Sequence, residues 1–146
     1  MPTAAKLVAA LSFAFLAFLT GTLIEAALPA SERAGYLYPV SIAAGALAGW
    51  FVSGAARRAR LHEAAATGMR TAVMATIMAL FAFALGSMLT IAMRGFYRGP
   101  FEAVLDIVNQ FFDHAALLMH LHIVVTILLG GAIAGMVTES AGRRWR

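Results

Sequence analysis

The stretch that decides the fold is residues 71–93, TAVMATIMALFAFALGSMLTIAM, which contains no charged residue and is bracketed by Arg70 and Arg94. A helix needs about 20 consecutive apolar residues to cross the hydrocarbon core of a bilayer. The stretch is long enough for one crossing, and flanking arginines are typical of the membrane boundary. It therefore predicts a transmembrane helix.

Three further blocks of the same kind cover about residues 7–28, 36–55 and 115–138. Only 12% of the residues are charged, whereas a soluble domain carries about a quarter. We therefore expect an all-α integral membrane bundle of four transmembrane helices, forming a single domain over residues 1–146.

The first block also has one feature of a signal peptide, because Lys6 could serve as its basic n-region. Its apolar core from Leu7 to Ile24 is about 18 residues long, however, and a signal peptide usually has about 7–15. Glu25 and Leu28 also disturb the small-residue spacing that a cleavage site requires. We expect a retained first helix.

An amphipathic segment at about residues 101–113 precedes the fourth block. Apolar side chains recur there at helical spacing, namely Phe101, Val104, Leu105, Val108, Phe111 and Phe112. The other side of the segment is polar, with Glu102, Asp106, Asn109 and Asp113. This pattern is typical of a helix that lies at the membrane surface.

The basic residues predict the orientation in the membrane. With the N-terminus inside, the cytoplasmic side carries Lys6, Arg57, Arg58, Arg60, Arg70, Arg143, Arg144 and Arg146, and the outer side only Arg33, Arg94 and Arg98. Since cytoplasmic loops carry an excess of Lys and Arg, both termini are expected in the cytoplasm. The net charge of +4 then indicates contact with the lipid bilayer rather than with nucleic acid.

Small residues recur every four positions on two of the predicted helices. They are Ser41, Gly45, Gly49 and Ser53 on the second, and Gly131 and Gly135 on the fourth. Small residues one turn apart let two helix backbones approach closely in lipid. We expect them to pack helices, either within the bundle or in a homo-oligomer; close approach of a ligand is a third possibility.

A candidate polar site lies near the outer ends of the helices. Asp106, Asp113 and His120 are seven residues apart and share one face if the helix runs unbroken from Phe101. Ionisable residues within spans are functional by default, although placement at headgroup depth would also explain these three. The site would also include Glu25, Arg94 and Arg98. The two arginines would either pair with the acidic residues or bind an oxyanion.

The pair His120 and His122 suggests a metal site, but residues two apart on a helix point about 200° apart. They would therefore not bind one ion together without another helix. The chain has no cysteine, which excludes thiolate zinc sites and iron–sulfur clusters. It also has no phosphate-binding loop, nucleophile elbow or zinc-protease motif. We expect no metal, no cofactor and no enzymatic activity.

Several stretches, in this order, resemble the TrgA family of small membrane proteins, which are associated with tellurite resistance in alphaproteobacteria of the Rhodobacter type. They are 1–11 (MPTAAKLVAAL), 38–50 (YPVSIAAGALAGW), 97–103 (YRGPFEA), 129–135 (LGGAIAG) and 143–146 (RRWR). The resemblance implies a bacterial inner-membrane location and a role in the response to oxyanion stress. It implies no catalytic residue.

The first functional hypothesis is therefore tellurite resistance, by export or exclusion of the anion. Export predicts that Glu25, the two arginines and the polar face of 106–120 converge on one cavity. Since four helices are few for a transporter, export also predicts a dimer. The second hypothesis is a non-catalytic accessory or assembly subunit of a larger respiratory or photosynthetic complex, which predicts that the glycines face the lipid. A third, a metal or haem protein, would use His120 or His122.

Overall fold

The computed structural model describes residues 4–27, 36–55, 60–95 and 99–144, and these residues contain no strand. They form five α-helices: α1 (Ala4–Ala27), α2 (Leu37–Ala48), α3 (Leu61–Met93), α4 (Pro100–Leu118) and α5 (Leu121–Arg144). α2 continues directly into a π-helical segment, Gly49–Ser53.

Three of these helices, α1, α3 and α5, are long and apolar enough to cross a membrane. The helix formed by α2 and its π-helical segment, Leu37–Ser53, is also apolar but shorter. Large apolar side chains such as Leu11 and Phe15 point outward, as they do where lipid is the solvent. The chain is an all-helical, multi-pass membrane protein.

α1 and α2 pack antiparallel through small residues. A Cβ atom added to Gly49 would lie 2.6 Å from the Ala9 carbonyl oxygen, and one added to Gly45 would lie 2.5 Å from that of Phe13. Ser41 and Ser53 are buried on the same helix. The absence of larger side chains is therefore what brings these two backbones together.

α3 and α5 also pack antiparallel, over the first half of α3. A Cβ atom on Gly131 would lie 2.6 Å from the Cβ of Ala72, and one on Gly135 would lie 2.7 Å from the Cα of Gly68. In this interface, Gly131 and Gly135 of α5 therefore pack against Gly68 of α3.

The core lies where α1, α3 and α5 meet. Its largest fully buried side chains include Phe13 and Ile123, which are 1% and 0% exposed. Leu16, Ala72, Ile127 and Ala134 complete the buried cluster. In water, burial of a side chain of this size stabilises the folded state by about 1.5–3 kcal/mol. In lipid the stabilisation comes from close packing of the helices instead.

The two ends of the bundle are marked by different contacts. At one end, Gly54 approaches Lys6, and a Cβ atom on Gly142 would lie 3.4 Å from the Ala5 Cβ. At the other end, the Tyr38 hydroxyl donates a hydrogen bond to Glu25. The start of α1, the end of α2 and the end of α5 therefore lie at the same end of the bundle.

The observed helices differ from the expected ones mainly around α3 and α4. α3 begins at Leu61, about ten residues before the predicted span. The Glu63 carboxylate accepts a hydrogen bond of 3.0 Å from the Arg60 amide, which satisfies one of the amides left free at a helix start. The alanine-rich stretch before Arg70 is thus part of the same helix.

The predicted amphipathic segment is a longer helix, α4, which ends at Leu118, and α5 begins at Leu121 rather than near residue 115. The chain turns between them: the Met119 amide donates to Ala116, and the His120 carbonyl accepts from Ile123 at 2.9 Å. The unbroken helix that would align Asp106, Asp113 and His120 on one face is therefore not formed.

Candidate functional site

A partly open cavity of about 600 Å³ lies between α1, α2, α3 and α4, with Ile127 contributing from α5. This volume is within the usual range of small-molecule sites. Most of its wall is apolar and includes Leu16, Leu37, Ala72 and Leu80. The wall therefore suits the apolar body of a ligand.

One part of the wall is polar, because α4 contributes Gln110, Asp113 and His114. Residues three and four apart lie on the same side of a helix, so these three side chains are neighbours. Ser87 lines the cavity from α3. Asp113 is exposed, while Gln110 and His114 are half-buried, which places the carboxylate at the rim.

His114 is held by two contacts. Its Nδ1 atom lies 2.6 Å from the Gln110 carbonyl oxygen, and its ring is stacked on Phe83 with the centroids 6.1 Å apart and the planes at 8°. Because a backbone carbonyl only accepts, Nδ1 carries a hydrogen and donates it to Gln110. Phe83 thus fixes the ring of a cavity residue while lining the cavity itself.

Two threonines in the wall present acceptors. Thr20 donates its hydroxyl hydrogen to Leu16 at 2.9 Å, and Thr76 donates to Ala72 at 2.9 Å. These backbone hydrogen bonds use the hydroxyl hydrogens and leave oxygen lone pairs. Thr20, Thr76 and the α4 residues therefore form a polar lining in which acceptors predominate.

Of the candidate polar residues predicted from the sequence, Asp113 lines the cavity and the others that the structure describes do not. Glu25 accepts the hydrogen bond from Tyr38. Arg94 is exposed at the end of α3, about 10 Å along the helix from Ser87, the nearest cavity residue on α3, at 1.5 Å per residue. The predicted convergence on one cavity is absent from the described residues.

The remaining two candidates on this part of the chain lie elsewhere. Asp106 is half-buried on α4, and His120 lies in the turn that follows α4. Arg98 lies outside the residues that the structure describes.

The turn also changes the relationship between the two neighbouring histidines. The rings of His120 and His122 are 5.7 Å apart with their planes at 69°, so they do not point to opposite sides as they would on an unbroken helix. Within the described ranges, no group of three or more His, Cys, Asp or Glu side chains could hold a metal ion.

The small residues predicted to pack helices lie inside the bundle. Gly45 and Gly49 contact the α1 backbone, and Gly131 and Gly135 contact α3. Ser41 and Ser53 are buried, and Ser41 also lines the cavity.

Sequence reasoning missed three features of the structure. His114 directly follows Asp113, and its position relative to Gln110 was a usable signal because four-residue spacing places both on one side of α4. Gly68 was not singled out because the other glycine of α3, Gly86, is several turns away, and the partners of Gly68 are on another helix. The bond from Tyr38 to Glu25 joins two helices and has no signal in local spacing.

No protein-family model, no curated protein and no solved structure matches the chain.

Proposed function

We propose that this chain is a four-span protein of the bacterial inner membrane that contributes to tellurite resistance as a self-contained unit. The role in resistance is supported by the stretches that resemble the TrgA family, above all 38–50 and 97–103. The other parts of the proposal are supported by the way the helices pack.

The second span is supported by its pairing with α1. Tyr38 contacts Glu25 at one end of the pair, and Gly54 approaches Lys6 at the other. From Lys6 to Glu25 the axis of α1 rises about 28 Å, close to the ~30 Å of a hydrocarbon core. The contacts at both ends therefore support a second span, formed by the helix Leu37–Ser53 alongside most of α1.

The orientation is supported by the charges at each end of the bundle. Ala5 and Gly142 lie at one end, where Lys6, Arg143 and Arg144 also lie on the same helices. Arg94 is at the far end of α3. An excess of basic residues marks the cytoplasmic side, so both termini are assigned to the cytoplasm.

The hypothesis of a self-contained unit rests on the glycines, which pack against helices of the same chain. A Cβ atom at Gly49 or Gly131 would clash with α1 or α3 of the same chain. An accessory subunit would instead leave such a face free for its partner. The accessory role is therefore the weaker hypothesis.

The cavity does not favour a site for the tellurite anion. Its lining contains no Lys or Arg side chain among the described residues, while Asp113 brings a carboxylate to the rim. A carboxylate repels an oxyanion, and this repulsion is stronger near a membrane than in water. The proposed resistance accordingly does not depend on binding of the anion in this cavity.

The test is expression of the chain in a tellurite-sensitive bacterium, with the inhibitory concentration of tellurite as the readout. We expect a rise relative to the empty vector. Gly135→Leu, which disrupts the packing of α3 and α5, should abolish the rise, and Gly86→Leu, where a Cβ atom meets nothing within 4 Å, should retain it. If the wild-type protein is present in the membrane and the inhibitory concentration of tellurite is no higher than with the empty vector, the role is refuted.

The self-contained reading has its own test. The protein is purified in a mild detergent and the co-purifying chains are identified by mass spectrometry. A single species is expected, whereas a large partner in stoichiometric amount would favour the accessory hypothesis.

A further inference from the structure

The polar side chains of the cavity mostly present hydrogen-bond acceptors. Thr20 and Thr76 use their hydroxyl hydrogens on their own helices, and His114 uses its Nδ1 hydrogen on Gln110. What remains towards a ligand from the two threonines is oxygen lone pairs. Gln110 and the serines can donate or accept, so they do not oppose this preference.

The charge of the lining points the same way. Asp113 is acidic, and no Lys or Arg side chain lines the cavity within the described part of the chain. A positive group near this carboxylate is attracted more strongly than in water, because apolar side chains and lipid lower the effective dielectric constant.

We infer that this cavity binds an amphiphilic cation, with its apolar body against α1, α2 and α3 and its positive head beside Asp113 and His114. A volume of about 600 Å³ is sufficient for a drug-sized molecule. A membrane phospholipid is the less suitable occupant, since its phosphate would meet the Asp113 carboxylate. The inference does not rest on the role in tellurite resistance, and binding is measured separately from it.

The test uses two probes of nearly equal shape and opposite charge, tetraphenylphosphonium and tetraphenylborate. The full chain is purified in a non-ionic detergent, and equilibrium dialysis measures binding of tetraphenylphosphonium against protein-free micelles. The two probes are dialysed in separate samples, because they form an ion pair when mixed. We expect saturable binding of the cation, about one per chain, and no saturable binding of tetraphenylborate. If tetraphenylborate binds with similar affinity, or if the cation shows no saturable binding, the inference is wrong.

Two variants locate the binding site. Asp113→Asn should weaken binding of the cation roughly tenfold or more, as expected for the loss of one nearby opposite charge. Glu102→Gln removes an acid from the same helix but away from the cavity lining, and should leave the affinity unchanged. Equal losses in both variants would mean a non-specific charge effect and would overturn the assignment.

A second pair of variants tests the cavity by volume. Ala75→Leu fills space at a lining position and should abolish binding, whereas Ala82→Leu adds the same side chain at an exposed position of α3 and should not. Circular dichroism checks that each variant is folded. The comparison of the two probes uses wild-type protein only, so it decides the question even if a variant unfolds.

A final arm distinguishes a free cation from a lipid. Phosphatidylethanolamine, which carries an ammonium and a phosphate, is added to the micelles during dialysis. We expect no displacement of tetraphenylphosphonium beyond that caused by phosphatidylcholine. Displacement specific to phosphatidylethanolamine would make a lipid the occupant and would overturn the proposal.

Discussion

Gly68 of α3 and Gly135 of α5 face each other so closely that a Cβ atom added to Gly135 would lie 2.7 Å from the Gly68 Cα atom. The Ala64 carbonyl oxygen would lie closer still, and the Gly68 amide nitrogen would lie at 2.9 Å. These are backbone atoms, which cannot move aside as the end of a flexible side chain can. The contact therefore sets the distance between two membrane helices and leaves no space for a methyl group.

We predict that Gly135→Ala destabilises the folded protein by about 1–3 kcal/mol, the usual cost of overpacking a close contact. The free energy of unfolding can be measured in mixed micelles by titration with a denaturing detergent, with circular dichroism as the signal. Gly68→Ala should behave similarly, since its Cβ atom would lie 2.8 Å from the Gly135 Cα.

Gly86→Ala is the matched control, because it lies on the same helix as Gly68 and its Cβ atom would meet nothing within 4 Å. It should be neutral or stabilise the protein by up to about 1 kcal/mol, the difference in helix propensity between Gly and Ala. Equal destabilisation by Gly86→Ala and Gly135→Ala would contradict the packing explanation.

The hydrogen bond from Tyr38 to Glu25 gives a second prediction. Tyr38→Phe removes the donor and should lower the free energy of unfolding, because the bond to Glu25 links two helices. Tyr36→Phe removes a hydroxyl from a side chain that is 78% exposed and should have little effect.

A double-mutant cycle with Glu25→Ala isolates the pair. The two substitutions should not be additive, because either one removes the same bond. Additive effects would mean that the two side chains act separately.

The sequence was sufficient for the features that depend on local composition. The apolar blocks predicted α1 as 7–28 and the second helix as 36–55, and the structure has them at Ala4–Ala27 and Leu37–Ser53. The requirement to satisfy every backbone hydrogen bond in lipid makes such long apolar blocks helical. Local composition thus determines where helices form.

The rest depends on contacts between helices. Residues 113–121, DHAALLMHL, contain no glycine or proline, so nothing local predicts the turn at Met119 and His120. The turn separates α4, whose His114 packs on Phe83, from α5, whose Gly131 packs much earlier along α3. The cavity likewise forms only when four helices pack together, so the sequence of one helix does not predict it.

The turn between α4 and α5 gives a third prediction. Leu121→Pro should change stability by less than about 1 kcal/mol, because proline is favoured at the first position of a helix and Leu121 is the first residue of α5. Ile123→Pro should cost about 3 kcal/mol or more, since the Ile123 amide donates to His120. If both substitutions were equally damaging in thermal unfolding, the helix would be continuous across this point.

The number of spans and the orientation give a fourth prediction, which is testable because the chain contains no cysteine. Single cysteines are introduced at Ala55 after the second helix, at Gly99 before α4 and at Ser140 near the end of α5. All three positions are at least partly accessible, and a Cβ atom at Gly99 meets nothing within 4 Å.

In intact spheroplasts a membrane-impermeant maleimide should label Gly99→Cys alone, and in inverted vesicles it should label Ala55→Cys and Ser140→Cys. This result follows if α2 crosses the membrane alongside α1 and the basic end faces the cytoplasm. If the helix Leu37–Ser53 did not cross, every later position would change sides, and Ala55→Cys and Ser140→Cys would be labelled from outside. Labelling of Ala55 and Ser140 from opposite sides would exclude a pair of spans between them, and with it the four-span bundle.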